Sequence, residues 1–219
     1  MAGSFSGRLF WLPGKGVDQF LAPIAVLDED GEKLVAGKYW DHELGHWVEQ
    51  DRSEHPRAHG NSATAVDWDA DGDLDLVLGM YGGRIFLRRN KGTAKKPLWS
   101  TKNEVILADE VDMQVEAAYA MPSVADWNGD GLFDLLSGSK LGGVQLWINL
   151  GEPGNPIFDA PTQLVPKSND EPGTPGLRTQ VQATDFDGDG DLDLLVGDYK
   201  RHEKKTSGYV WLYRRGAAE

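Results

Sequence analysis

Five aspartates stand within nine residues at Asp185–Asp193, in the run DFDGDGDLD, each separated from the next by one residue. Alternate carboxylates in a short loop can turn their oxygens toward one centre, and the chemistry that suits such a centre is the binding of a hard cation. The pattern D-x-[DN]-x-D-G-x-x-D occurs twice more, as DWDADGDLD from Asp67 and DWNGDGLFD from Asp126. Oxygen-bearing side chains fall at positions 1, 3, 5 and 9, with a glycine at position 6 to allow the sharp bend. The expected ligands are Asp67, Asp69, Asp71 and Asp75; Asp126, Asn128, Asp130 and Asp134; and Asp185, Asp187, Asp189 and Asp193. Position 7, at Asp73, Leu132 and Asp191, would offer a backbone carbonyl, and the leucine shows that its side chain is dispensable. Carboxylates, carbonyls and water at about 2.3–2.6 Å suit calcium, so three Ca2+ sites are expected.

Two other readings compete. An EF-hand needs a glutamate at position 12 and flanking helices. This chain has Leu78, Ser137 and Val196 there, inside apolar runs that read as buried strands. An ordinary Asp-Gly turn needs no ion. It does not explain four converging oxygen-bearing side chains in three copies, nearly all of them carboxylates that repel one another at close range.

The elements that must hold these loops repeat with them. Asp67, Asp126 and Asp185 are spaced by 59 residues, and the register continues through Gly79, Gly138 and Gly197. Each unit reads as apolar strand, acidic loop, apolar strand, Gly-rich turn, alternating strand, longer loop and short strand. The third strands are RIFLRRN, GVQLWIN and, after a seven-residue insertion around Lys200–Ser207, YVWLYRR. No segment sustains a helical period. The expectation is an all-β fold, a β-propeller or partial propeller of four-stranded antiparallel blades. Its units are a partial N-terminal blade at 1–61, repeats at 62–120 and 121–179, and a repeat at 180–219 lacking its last strand. The opening GRLFWLPGKG resembles GRIFLRRNKG and so reads as a third strand; the DEDG that follows reads as a decayed acidic loop. Since units of this kind stack on neighbours, the unfinished ends suggest closure by a second copy, a dimer above all.

The formal net charge of −13 argues against nucleic acid, which needs a basic surface. There are no cysteines, and no run approaches the ~18 apolar residues of a membrane span. The start, MAGSFSGRLFW, lacks the pattern of a signal peptide.

The runs DWDADGDLDLVLG, DWNGDGLFDLLSG and DFDGDGDLDLLVG, each trailed by a short alternating strand, resemble the FG-GAP/VCBS repeat family. Those are the propeller repeats of integrin α-subunit heads and of many bacterial surface proteins. The Phe-Gly signature is not evident, so the VCBS-like branch is the nearer likeness. The resemblance implies calcium between the first two strands of a blade, in a structural role, and no single activity. It suggests a non-enzymatic interaction or adhesion module in an extracellular, cell-surface or periplasmic setting, with a protein or glycan ligand; a lectin-like or accessory carbohydrate-binding propeller is the alternative.

His42–His46 spells HELGH, which fits the H-E-x-x-H of zinc hydrolases. That mechanism needs a helix, whereas these residues follow LVAGKYW and read as a loop or hairpin. His42, His46, His55 and His59 cluster in sequence; the segment reads first as an exposed polar insertion, with incidental metal binding the lesser alternative. Repeated aromatics such as Trp68, Trp127, Phe186, Trp99 and Phe158 read as packing between blades. Trp40, Trp47, Trp147 and Trp211 do not recur and read as candidates for a ligand surface. No nucleophile–base pair or P-loop emerges.

Overall fold

The computed structural model describes residues 2–3, 9–34, 39–41, 45–48, 60–169, 173–202 and 205–216. Among these the regular structure is all strand, with no helix. The first sheet joins β1 (Ala2–Gly3), β2 (Leu9–Trp11) and β3 (Ile24–Ala25), and a hairpin pairs β4 (Tyr39–Asp41) with β5 (His46–Val48). Next come β6 (Gly60–Val66), β7 (Asp75–Met80), β8 (Ile85–Arg88) and β9 (Glu104–Val105), a four-stranded antiparallel meander. A small hairpin of β10 (Leu107–Ala108) and β11 (Val111–Asp112) follows. The meander then recurs as β12 (Met121–Ala125), β13 (Asp134–Gly138), β14 (Val144–Trp147) and β15 (Thr162–Val165). The last sheet has β16 (Leu177–Thr184), β17 (Asp193–His202), β18 (Lys205–Ser207) and β19 (Val210–Tyr213). Here β19 pairs with β17 as the third strand of the unit, while β18 is built from the insertion.

Side chains alternate across each strand, and in the middle sheets both faces are buried. From the β6–β9 sheet, Leu76, Leu78 and Phe86 pack against Leu9, Val26 and Leu34 of the N-terminal unit. Its other face, Val77, Ile85 and Leu87, packs against Leu135, Trp147 and Phe158 of the next sheet. That sheet in turn presses Leu136, Val144 and Leu146 onto Val181, Leu194 and Val196 of the last. Four sheets therefore stack face to face as successive blades of a partial propeller, whose sheets are not closed into a ring. No helix of the described residues is long and apolar enough to cross a membrane.

In the N-terminal unit β2 is a third strand, as its sequence implies, but the unit does not open on it. β1 precedes it in second-strand register, with Ala2 opposite Phe10 and Gly3 opposite Leu9 as Leu78 is opposite Phe86 and Gly79 opposite Ile85. Phe10 pairs with Ala25 as Phe86 pairs with Val105, and Trp11 with Ile24 as Leu87 with Glu104. The same register corrects the reading of DEDG. Asp28 forms a parallel bridge to Trp99, as Ala108 does to Phe158. Glu29 donates its N–H to the Trp99 carbonyl at 2.7 Å, as Asp109 does to Phe158 at 3.0 Å. DEDG is thus the counterpart of the β10–β11 hairpin and not of an acidic loop. Asp and Gly serve tight hairpins as readily as cation loops, and the order of strands distinguishes the two.

Candidate metal centres

Each acidic loop joins the first strand of a blade to the second. Position 1 follows the end of β6, β12 or β16, and position 9 is the first residue of β7, β13 or β17. The backbone inside the loop is the same three times over. Position 6 takes a left-handed φ of 89° at Gly72, 87° at Gly131 and 95° at Gly190, and position 4 does so at Ala70, Gly129 and Gly188. These bends aim N–H groups inward. The position 1 carboxylate accepts the N–H of position 6 at 3.1 Å (Asp67), 2.9 Å (Asp126) and 3.2 Å (Asp185). The position 5 carboxylate accepts the N–H of position 7, at 2.9 Å for Asp73 on Asp71, 2.8 Å for Leu132 on Asp130 and 3.0 Å for Asp191 on Asp189.

The position 9 acids are buried at the base of the loop. One oxygen of each latches the exit of the third strand, accepting N–H from Asn90 at 2.6 Å, Asn149 at 2.8 Å and Arg215 at 2.8 Å. The second oxygen of Asp134 accepts Trp127 N–H at 2.9 Å, and that of Asp193 accepts Phe186 N–H at 3.2 Å. In the first loop this is not so. Asp75 Oδ2 and Asp67 Oδ1 are buried without a hydrogen-bond partner. Buried acceptors of this kind are costly unless something satisfies them, and a hard cation fits that need.

Ligand atoms of Asp67, Asp69 and Asp71 lie within 4.8 Å of one another, as do those of Asp185, Asp187 and Asp189. In the middle loop Asn128 replaces the position 3 acid, and its amide donates to Asp130 at 2.8 Å. Electrostatics follow the crowding. Burial pushes the Asp75 carboxyl up to about 6, against the Asn90 N–H that lowers it. Burial and then the neighbouring Asp71 and Asp69 push Asp73 up, and burial pushes Asp134 up.

The sequence reading missed two arginines. Arg89 donates to Asp69 at 2.6 Å and stands 3.9 Å from Asp75 Oδ2. Arg214, at the same place after β19, pairs with Asp187. In the middle repeat that place holds Ile148, and position 3 is Asn128. The signal was available: where position 3 is acidic the third strand ends in two arginines, and where it is amide it does not.

The remaining sequence candidates divide. Trp147 is buried in the core between blades and so presents no ligand surface, because its place on β14 faces the neighbouring sheet. Trp211 is half-buried and donates to Asp198 at 2.9 Å. Trp40 and Trp47 are cross-strand neighbours in the β4–β5 hairpin. Of HELGH, His46 lies on β5 opposite Asp41, in strand pairing where a zinc hydrolase needs a helix. His42, His55 and His59 lie outside the described residues.

Blade-like sheets stacked face to face, with an acidic loop between the first two strands of each repeat, define a propeller-type repeat protein. Residues 126–196 match the family model described as FG-GAP-like repeat, a stretch running from the first acid of the middle loop to the second strand of the last repeat. Over that stretch the chain is similar to FG-GAP-like repeats. No curated protein matches the chain.

Proposed function

We propose that this chain is a calcium-stabilised interaction module without catalytic activity of its own, of the VCBS-like branch. The observation that carries the calcium reading is the pair of buried oxygens on Asp67 and Asp75 that accept no hydrogen bond, inside a cluster of acids. Side chains at positions 1, 3, 5 and 9 would hold the ion, with the position 7 carbonyls of Asp73, Leu132 and Asp191. The ion would offset the repulsion among the carboxylates and fix the second strand to the first. A cation that binds only the folded chain adds stability, about 2.7 kcal/mol per site at a hundredfold excess over Kd. Melting curves with calcium, with magnesium and with chelator test this. Calcium should raise the Tm and chelator lower it, with magnesium a poor substitute; a melt indifferent to all three sinks the reading. Sites of this type suit calcium-rich extracellular or periplasmic surroundings.

The ends of the stack support a partner. Phe20 occupies the place of Trp99 and Phe158 but is exposed, as are Tyr209 and Val210 at the other end. A second copy laid on these faces would bury them. Sedimentation across a concentration series tests it: a chain that stays monomeric at high concentration in calcium removes the self-association part.

A further inference from the structure

A groove of about 550 Å3 opens between the β6–β9 and β12–β15 sheets, in the size range of ligand sites. Leu107, Leu150 and Ile157 line it and are 52%, 63% and 58% exposed. Asp109, Glu110 and Asp159 stand around it. Its one cation, Arg89, is already held by Asp69 and Glu104.

The preceding junction shows what this one lacks. Lys91 and Leu150 are equivalent, donating N–H to Leu98 at 2.8 Å and to Ile157 at 2.7 Å. Glu29 and Asp109 are equivalent through their bridges to Trp99 and Phe158. Between the N-terminal unit and the β6–β9 sheet, Lys91 Nζ lies 3.0 Å from both carboxylate oxygens of Glu29, and Thr101 donates its N–H to the same acid at 2.9 Å. That junction supplies its own ammonium. At the groove, leucine stands where the lysine would be and Ala160 where Thr101 would be, so Asp109 shares the lining with Leu107, Leu150 and Ile157 and has no equivalent of Lys91.

We infer that this groove docks a segment of a partner protein presenting a lysine or arginine between aliphatic side chains. The cation takes the place beside Asp109 that Lys91 takes beside Glu29, and the aliphatic neighbours cover Leu107, Leu150 and Ile157. Complementary charge selects and orients the segment, and the apolar floor retains it. This deepens the interaction-module reading by giving the partner's chemistry, but it does not depend on the cation loops.

Selection of random short peptides displayed on phage against the full chain in calcium, then fluorescence anisotropy on the winning peptide, tests it. The recovered peptides should carry Lys or Arg flanked by Leu, Ile or Val. Leu150→Lys, which supplies the missing ammonium, and Asp109→Asn should each weaken binding about tenfold or more. Leu150→Met should retain binding, and all three variants, being at the surface, should melt like the parent. Peptides without a cation, binding that survives Leu150→Lys, or no peptide above background would overturn the inference. Peptides that bind elsewhere refute the groove while leaving the chelator melt to judge calcium.

Discussion

The first and third acidic repeats share nearly the same sequence and sit in different company. Trp68 and Phe186 both hold position 2 of their loops, yet Trp68 is 6% exposed and Phe186 57%. Trp68 has the rings of Phe133 and Phe158 from the next blade at 5.3 Å and 5.8 Å. A Cβ on Gly79 would run into the Ala120 carbonyl, whereas one on Gly197 would meet nothing nearer than 4.0 Å. The repeat is therefore written for a blade with a neighbour on each side. Its aromatic and its glycine have packing roles only where that neighbour is present, and in the last repeat they form an open seat.

The largest test of this contrast is truncation of the two aromatics. Trp68→Ala should cost about 3–5 kcal/mol in a denaturant titration. Phe186→Ala should cost about 0.5 kcal/mol or less; equal costs would break the comparison. Next come the glycines. Gly79→Ala should destabilise by about 1–3 kcal/mol through forced backbone separation. Gly197→Ala should leave the dilute chain within about 0.5 kcal/mol, and weakened self-association in the same variant would sharpen the case for an open seat.

A smaller effect is expected from pH. Asp75 holds its proton more tightly folded, with a value near 6, than unfolded, near the usual ~3.9. Without cation, its contribution should fall as pH rises through that window and stay level above it. With calcium bound the ion supplies the opposing charge, so affinity at the first loop should drop as pH falls through about 6. Tm against pH for the parent and Asp75→Asn, with and without calcium, isolates the effect: the difference between the two proteins should change only within the window. The smallest change is Ala70→Gly. Ala70 has φ 58° where the third loop uses Gly188 at 79°. Relief of left-handed strain of about 1–2 kcal/mol is largely offset by the entropy of glycine. The net gain should stay under about 1 kcal/mol, read from the same titration.

The strand order and all three loops were legible because repetition multiplies a local signal: a pattern seen once in DWDADGDLD is ambiguous, and seen three times at one spacing it is not. DEDG had no such support, and its composition suits a hairpin equally, so only the bridge from Asp28 to Trp99 could place it. Trp147 was misread for a related reason, since a residue that does not recur can still occupy a shared buried register. The arginines opposite Asp69 and Asp187 stood in the aligned third strands RIFLRRN and YVWLYRR, but those strands were read only for their apolar alternation, which carries no sign of a partner in the loop. Position 9 was read only as a ligand; the latching of the third strand that the structure shows depends on backbone N–H groups that carry no sequence signature.

The bridges from Asp28 to Trp99 and from Ala108 to Phe158 have a direction: in both, the hairpin of one unit reaches the aromatic of its C-terminal neighbour. A stack joined this way has a head and a tail. A contact between copies built on the same directional principle would be heterologous, with no twofold axis inside the contact itself. Copies so joined form a closed circle when the rotation from sheet to sheet completes a turn, and lengthen into a filament when it does not.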